Sequence, residues 1–273
     1  LNRFPYPQEN DTIKKTEVLC MDFAKRYYEF LEQTLRNVYQ SNKEHIQEAA
    51  DLLYQTQCNN HTIYTFGTGH SHMIGQDLYA RAGGYAKIYP IDEIELSLAT
   101  HPTKSTQIER MAEYANVLEH LYDVRYGDVV IVTSNSGRNA LVIEYVLRLR
   151  KKGVKIIAIT SLKHSQNTES RHKSKKRLFE LADIVLDNQA PLGDAGVAID
   201  ENITMGPVST ITGCFLSQCM IGSMVEKLKE NGMDAPVFRS SNTDGADAYN
   251  QALFDTYILK KGNEYESLNE SQF

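Results

Sequence analysis

The sequence is poor in cysteine, with four in 273 residues (Cys20, Cys58, Cys214 and Cys219) and no CxxC pair among them. That argues against a disulfide framework and against a zinc knuckle, and it suits a reducing compartment, so a cytoplasmic location is expected. No apolar run approaches the roughly 18 residues of a membrane-spanning helix, and none is expected. The stretch from Leu1 to Lys15 is polar and has no signal-peptide core. Positive charge is not in excess: 29 Lys and Arg stand against 35 Asp and Glu, a net charge of −6. A nucleic-acid partner is therefore not expected. There is no internal repeat and no low-complexity linker. The one charge cluster, Arg171-His172-Lys173-Ser174-Lys175-Lys176-Arg177, reads equally as a solvated loop or a functional one.

What is present is an ordinary globular composition, 41% hydrophobic and 23% charged, in a chain long enough to bury a full core. Leu19, Phe23, Tyr27, Phe30 and Leu31 fall at helical spacing and predict a long helix over 16–40. Ser41-Asn42 reads as a stop and a new cap before a second helix carrying Ile46, Ala49, Ala50 and Leu53. Strands are predicted at 62–66, 87–91, 128–133, 154–160 and 184–186. Helices are predicted at about 71–82, 105–122, 139–152, 177–182, 207–229 and 246–259. This alternation builds βαβ units with a parallel sheet between helical layers. The domains expected are an N-terminal helical arm over 1–40, an α/β domain over 41–230 and a tail over 231–273 that packs on the domain or its partner. The apolar face of the first helix needs covering, which predicts a homodimer or homotetramer.

Ligands of such sheets sit beyond the carboxyl ends of the strands. Three of these ends are rich in hydroxyls: Gly67-Thr68-Gly69-His70-Ser71, Thr133-Ser134-Asn135-Ser136-Gly137 and Thr160-Ser161. One such serine is most simply a helix cap. Three ends together suit an anion, because helix N-termini offer free N–H groups and the positive end of a dipole. A dinucleotide fingerprint also begins here with Gly67 and Gly69, and Asp92 could hold a ribose. Its third glycine position is His72, which argues against that reading.

Those segments, together with Pro207-Val208-Ser209-Thr210, make the chain resemble the sugar isomerase (SIS) domain over roughly residues 40–230. Within that family it looks most similar to a bacterial branch labelled phosphoheptose isomerase or phosphosugar-binding protein. The resemblance implies a flavodoxin-like α/β sandwich, a sugar-phosphate ligand and an aldose–ketose isomerase working through an enediol; the missing third glycine and the lack of a ligand cluster lead us to expect no cofactor. It implies a phosphate held by Ser71, Ser134, Ser136, Ser209 and Thr210, with Gly69, Gly137 and Ser161 in the same loops. Alternatives are a non-catalytic phosphosugar sensor, an isomerase of a sugar sulfonate and an etherase-type lyase. The glutamate that phosphoheptose isomerases and the etherase carry ten residues after the first-loop serine is Arg81 here, so their base does not carry over.

The isomerase reading needs a base and an acid. Glu201 is the first candidate for the base, nine residues before Thr210 and resembling the glutamate of another SIS arrangement. His70, His72 or His172 would assist ring opening. Asp77, Glu93 and Glu95 are reserve carboxylates, and Arg171 or Arg239 could meet an anion. His70-x-His72 has no carboxylate or cysteine partner nearby in sequence, so no metal is expected.

Overall fold

A computed structural model describes residues 22–101 and 103–259. Helix α1 spans Phe23–Cys58. It is followed by β1 (Ile63–Gly67), α2 (His72–Leu78) and β2 (Ile88–Ile91). The chain continues through α3 (Lys104–Ile108), α4 (Tyr114–Leu121), β3 (Val129–Thr133), α5 (Ala140–Lys151), β4 (Lys155–Thr160), α6 (Leu162–Gln166) and β5 (Ile184–Asp187). A hairpin of β6 (Ala195–Ala198) and β7 (Thr204–Pro207) leads to α7 (Ser209–Glu230), with α8 (Ala246–Leu253) beyond.

The five-stranded sheet has the order β2-β1-β3-β4-β5 and is parallel throughout. That is the flavodoxin-like doubly wound order. Every residue of β1 and β3 is buried, as expected for strands covered on both faces. One core face gathers Ile46, Leu53, Ile63, Ile131, Leu216 and Met220 between the sheet, α1 and α7. The other gathers Phe66, Leu118, Val130, Leu141, Tyr145 and Ile156 under α4 and α5. Helix, sheet and helix therefore form the three layers that the sequence predicts.

The local differences have physical causes. Ser41-Asn42 does not stop a helix; α1 runs through it without a break. Asn42 is buried, and its amide donates to the carbonyls of Val38 (2.7 Å) and Asp187 (2.9 Å) while its oxygen accepts from Asp187 N–H (2.7 Å). The polar side chain that looks like a cap ties the helix to the end of β5. The early part of the expected 16–40 helix, before residue 22, lies outside the described residues.

The sequence reading missed the β6–β7 hairpin, because Gly196, Gly206 and Pro207 weaken the strand pattern. The hairpin packs on α1: Arg26 donates to Ala198 O (2.7 Å), Tyr27 to Pro207 O (2.6 Å), and the ring of Phe30 lies against Gly196. The hairpin meets part of the apolar face that was expected to need a partner copy and leaves Phe23, Tyr27, Phe30 and Leu31 half-buried. Pro207 ends β7 rather than opening α7.

Candidate functional site

Strand order reverses between β1 and β3, and the carboxyl ends of these strands flank the crevice where doubly wound folds bind ligands. The turn after β1 requires glycine at 67, since a Cβ there would stand 2.6 Å from the carbonyl oxygen of Ser71. Directly after it, the buried Thr68 donates its hydroxyl to Glu109 Oε2 at 2.7 Å. Burial pushes the Glu109 carboxyl above the ordinary carboxylate range, against the opposing pull of the Thr68 hydroxyl, Arg171, Arg110 and the Asn139 amide.

The sequence reading passed over Glu109 because it falls inside the expected 105–122 helix, in Gln107-Ile108-Glu109-Arg110, with no motif around it. In the structure that helix is two pieces, α3 and α4, and Glu109 lies in the break between them. Its carbonyl accepts from Leu141 N–H (3.1 Å) at the start of α5.

The expected hydroxyls divide into two groups. Ser71, Ser136 and Thr210 are half-buried and have no side-chain hydrogen bond among the described residues. Ser134, Ser161 and Ser209 are engaged. Ser134 Oγ accepts from Gly137 N–H (3.2 Å). Ser161 is fully buried, donates to Ala190 O (2.7 Å) and accepts from His164 N–H (3.0 Å), which makes it the cap of α6 rather than a ligand contact. Ser209 donates to Asp194 Oδ2 (2.7 Å), while Asp194 Oδ1 accepts from the N–H groups of Val208 (3.1 Å) and Ser209 (2.8 Å). An aspartate of this chain thus already fills the anion seat expected at the start of α7. Gly69 and Gly137 both take positive φ, 58° and 57°, and shape the first and second loops.

The proton-transfer candidates fare differently. Glu201 is exposed in the turn joining β6 and β7, beyond the strand that packs on Arg26. The hairpin carries it away from the core, so the structure does not bring it to the strand ends. His72 is buried and paired with Asp92, whose carboxyl that contact holds below its ordinary value. The two residues that spoke against and for a dinucleotide therefore contact each other. His172 is also buried, its ring nitrogens bonded to Ser174 Oγ (2.8 Å) and Glu144 Oε2 (2.9 Å) on α5. It pins the basic loop and does not face a ligand. His70 stays exposed in the first loop.

Asp77 is held by Arg81 and by Gln218 (2.9 Å), Glu93 by the Tyr122 hydroxyl (2.8 Å) and Glu95 by Lys104 (3.4 Å). Arg239 lies over the Tyr249 ring, 3.9 Å from its centroid, and belongs to the contact with α8. Arg171 does join the site: its guanidinium donates to Asn139 Oδ1 (2.7 Å) and its N–H to Arg138 O (2.9 Å). Among the described residues no group of three His, Cys, Asp or Glu side chains gathers to hold a metal, and no helix is long and apolar enough to cross a membrane.

Comparison with known proteins shows the family. The SIS domain family matches residues 26–161. A UPF0309 protein of Halalkalibacterium halodurans is 43% identical over 233 residues, 85% of this chain and 96% of the relative. One of Shouchella clausii is 37% identical over 239 residues, 87% of this chain and 97% of the relative. Phosphoheptose isomerase GmhA from Neisseria gonorrhoeae superposes with a TM-score of 0.49 at 18% identity, covering 74% of this chain and 97% of that one. With relatives of this identity matched over nearly their whole length, the chain belongs to the UPF0309 family of SIS-domain proteins.

Proposed function

We propose that this protein binds a phosphorylated sugar at the carboxyl ends of β1 and β3 and interconverts its aldose and ketose forms, with Glu109 carrying the proton. The observation behind this reading is the Glu109 carboxyl: half-buried, raised in pKa and fixed by Thr68 at the strand-order reversal. A carboxyl raised by burial and held at a ligand crevice is the kind of group that takes and returns a proton. Glu109 as carboxylate removes the proton on C2 of the open aldose. The C–H electron pair becomes the C1–C2 double bond, and the carbonyl oxygen takes up a proton, giving the enediol. Loss of the C2 hydroxyl proton then lets Glu109 return its proton to C1, leaving the ketose. His70, exposed in the first loop, serves ring opening, and the hydroxyls of Ser71 and Ser136 take the ligand's polar oxygens.

The test is turnover in D₂O. The wild type is expected to place deuterium at C1 or C2 of a sugar phosphate. Glu109→Gln, which keeps the shape and removes the base, should lower the rate by about 10²–10⁴-fold while binding persists. Tight binding of sugar phosphates with no exchange of that hydrogen replaces the enzyme by a phosphosugar sensor. Exchange that survives Glu109→Gln moves the base elsewhere.

A further inference from the structure

Three arginines meet beside Glu109 without any counter-charge of their own. Arg110 follows Glu109 in the chain, Arg138 follows Gly137 in the second loop, and Arg171 comes from the basic loop after β4. Hydrogen bonds stitch these segments together: Leu141 N–H to Glu109 O (3.1 Å), Arg171 N–H to Arg138 O (2.9 Å) and the Arg171 guanidinium to Asn139 Oδ1 (2.7 Å). Among the described residues none of the three has a carboxylate within ion-pair distance, although every other arginine of the central domain around them does: Arg148 with Glu119 and Glu144, Arg150 with Asp183, Arg177 with Glu180. The Nε of Arg138 is buried with no hydrogen-bond partner among the described residues, and so is Nδ1 of His164. The guanidiniums also feel one another, since Arg171 is pushed below its ordinary value by burial and by the charges of Arg138 and Arg110.

Three neighbouring cations and one carboxyl of raised pKa leave a surplus of positive charge at a ligand-binding crevice. Arg110 and Arg171 are exposed and Arg138 is half-buried, so their like charges set up a positive field open to an incoming anion. The alternative seat, at the start of α7, is taken by Asp194.

We propose that Arg110, Arg138 and Arg171 form the charged seat for the ligand's terminal oxyanion, a phosphate or sulfonate on a sugar. Guanidinium forks match tetrahedral oxyanions, and their charge is permanent, so a singly charged sulfonate is accepted as well as a phosphate. The seat rests on the reading that a sugar occupies these strand ends.

The test is calorimetry on the whole protein with inorganic phosphate and inorganic sulfate, then glucose 6-phosphate and 6-deoxy-6-sulfoglucose. Wild type is expected to bind both inorganic anions, with affinity that falls as salt rises. Arg138→Gln and Arg171→Gln should each weaken binding by about tenfold or more. Glu109→Gln, which removes a negative charge from the cluster, should tighten it. Arg171 also holds Asn139, so Arg110→Gln, which has no side-chain hydrogen bond to lose among the described residues, repeats the measurement without loosening the loop. Phosphate binding indifferent to all three arginines, or no phosphate binding by the wild type, overturns the seat. Arginine-dependent phosphate binding with no sugar ligand bound sinks the sugar reading and leaves the seat standing. Sugar-phosphate binding that ignores the arginines does the reverse.

Discussion

Thr68 donates its hydroxyl to Glu109 over 2.7 Å, so a residue at the end of β1 sets the acidity of a carboxyl carried by the β2–β3 connection. Burial raises the Glu109 pKa and this hydrogen bond, made to the charged form, restrains it.

Thr68→Val keeps the shape and removes the restraint. A hydrogen bond to a charged group is worth about 1.5–3 kcal/mol, or roughly 1–2 pKa units. The acid limb of the pH–rate profile should therefore move up by about that much, and an NMR titration of the Glu109 carboxyl should follow it. An unmoved limb separates Glu109 from the reaction. The stability linkage has its own sign. A carboxyl raised in the folded state contributes fully below its unfolded value, and that contribution is lost as pH rises through the folded one.

Asn42→Ala leaves Asp187 N–H without its acceptor and the Asp187 carbonyl without the amide donor, while Val38 O keeps its helix bond and the Ser41 hydroxyl. Stranded buried groups cost about 1–3 kcal/mol each, with partial relief from water, so a loss of about 2–4 kcal/mol is expected in urea unfolding. A loss below about 1 kcal/mol would make the Asn42 bridge incidental.

Gly137→Ala should destabilise by about 1–3 kcal/mol, since φ is 57° and the added Cβ meets Ser165 Oγ at 3.0 Å and Leu178 Cβ at 3.2 Å. Anion binding should weaken in parallel, because the same turn presents Ser136 and Arg138. A thermal melt and a phosphate titration on one preparation check both.

His72→Leu should change acid stability in a defined direction. The histidine holds the Asp92 carboxyl below its ordinary value, a contribution present above the unfolded value and lost as pH falls through the folded one. Without His72 that part of the acid limb should disappear, so wild type and variant should converge in stability once the pH falls below the folded Asp92 value, where the carboxyl is protonated in both. Divergence that persists at that pH would assign the effect to packing alone.

The sheet was legible because its strands are unbroken apolar runs such as Val129–Thr133, and hydrophobic patterning reports burial directly. The loops after β1 and β3 were legible because their glycines and hydroxyls sit where a strand turns into a helix. What escaped notice was polar bookkeeping across the fold. Ser209 looks the same in sequence whether it awaits a phosphate or donates to Asp194, and His172 whether it meets a sugar or Glu144. Glu109 was hidden because it sits in a helix break that the sequence pattern does not mark, where its carbonyl accepts from Leu141 N–H at the start of α5. Glu201 was drawn to the site by an offset in sequence, which the hairpin spends on reaching α1 rather than the strand ends.

The pairing of α1 with α7 also bears on how the chain is made. Gln47 meets Ser223, and Asp51 pairs with Lys227, each across 176 positions of sequence. At a synthesis rate of about 5–20 residues per second, the stripe of Ile46, Ala49, Ala50 and Leu53 is out of the ribosome on the order of ten seconds before its cover exists. During that interval one whole face of the growing sheet is open, and sticky collisions with other nascent chains compete with correct closure. Slowing translation after β5 should therefore lower the yield of native protein, and a holdase that recognises the α1 stripe should restore it.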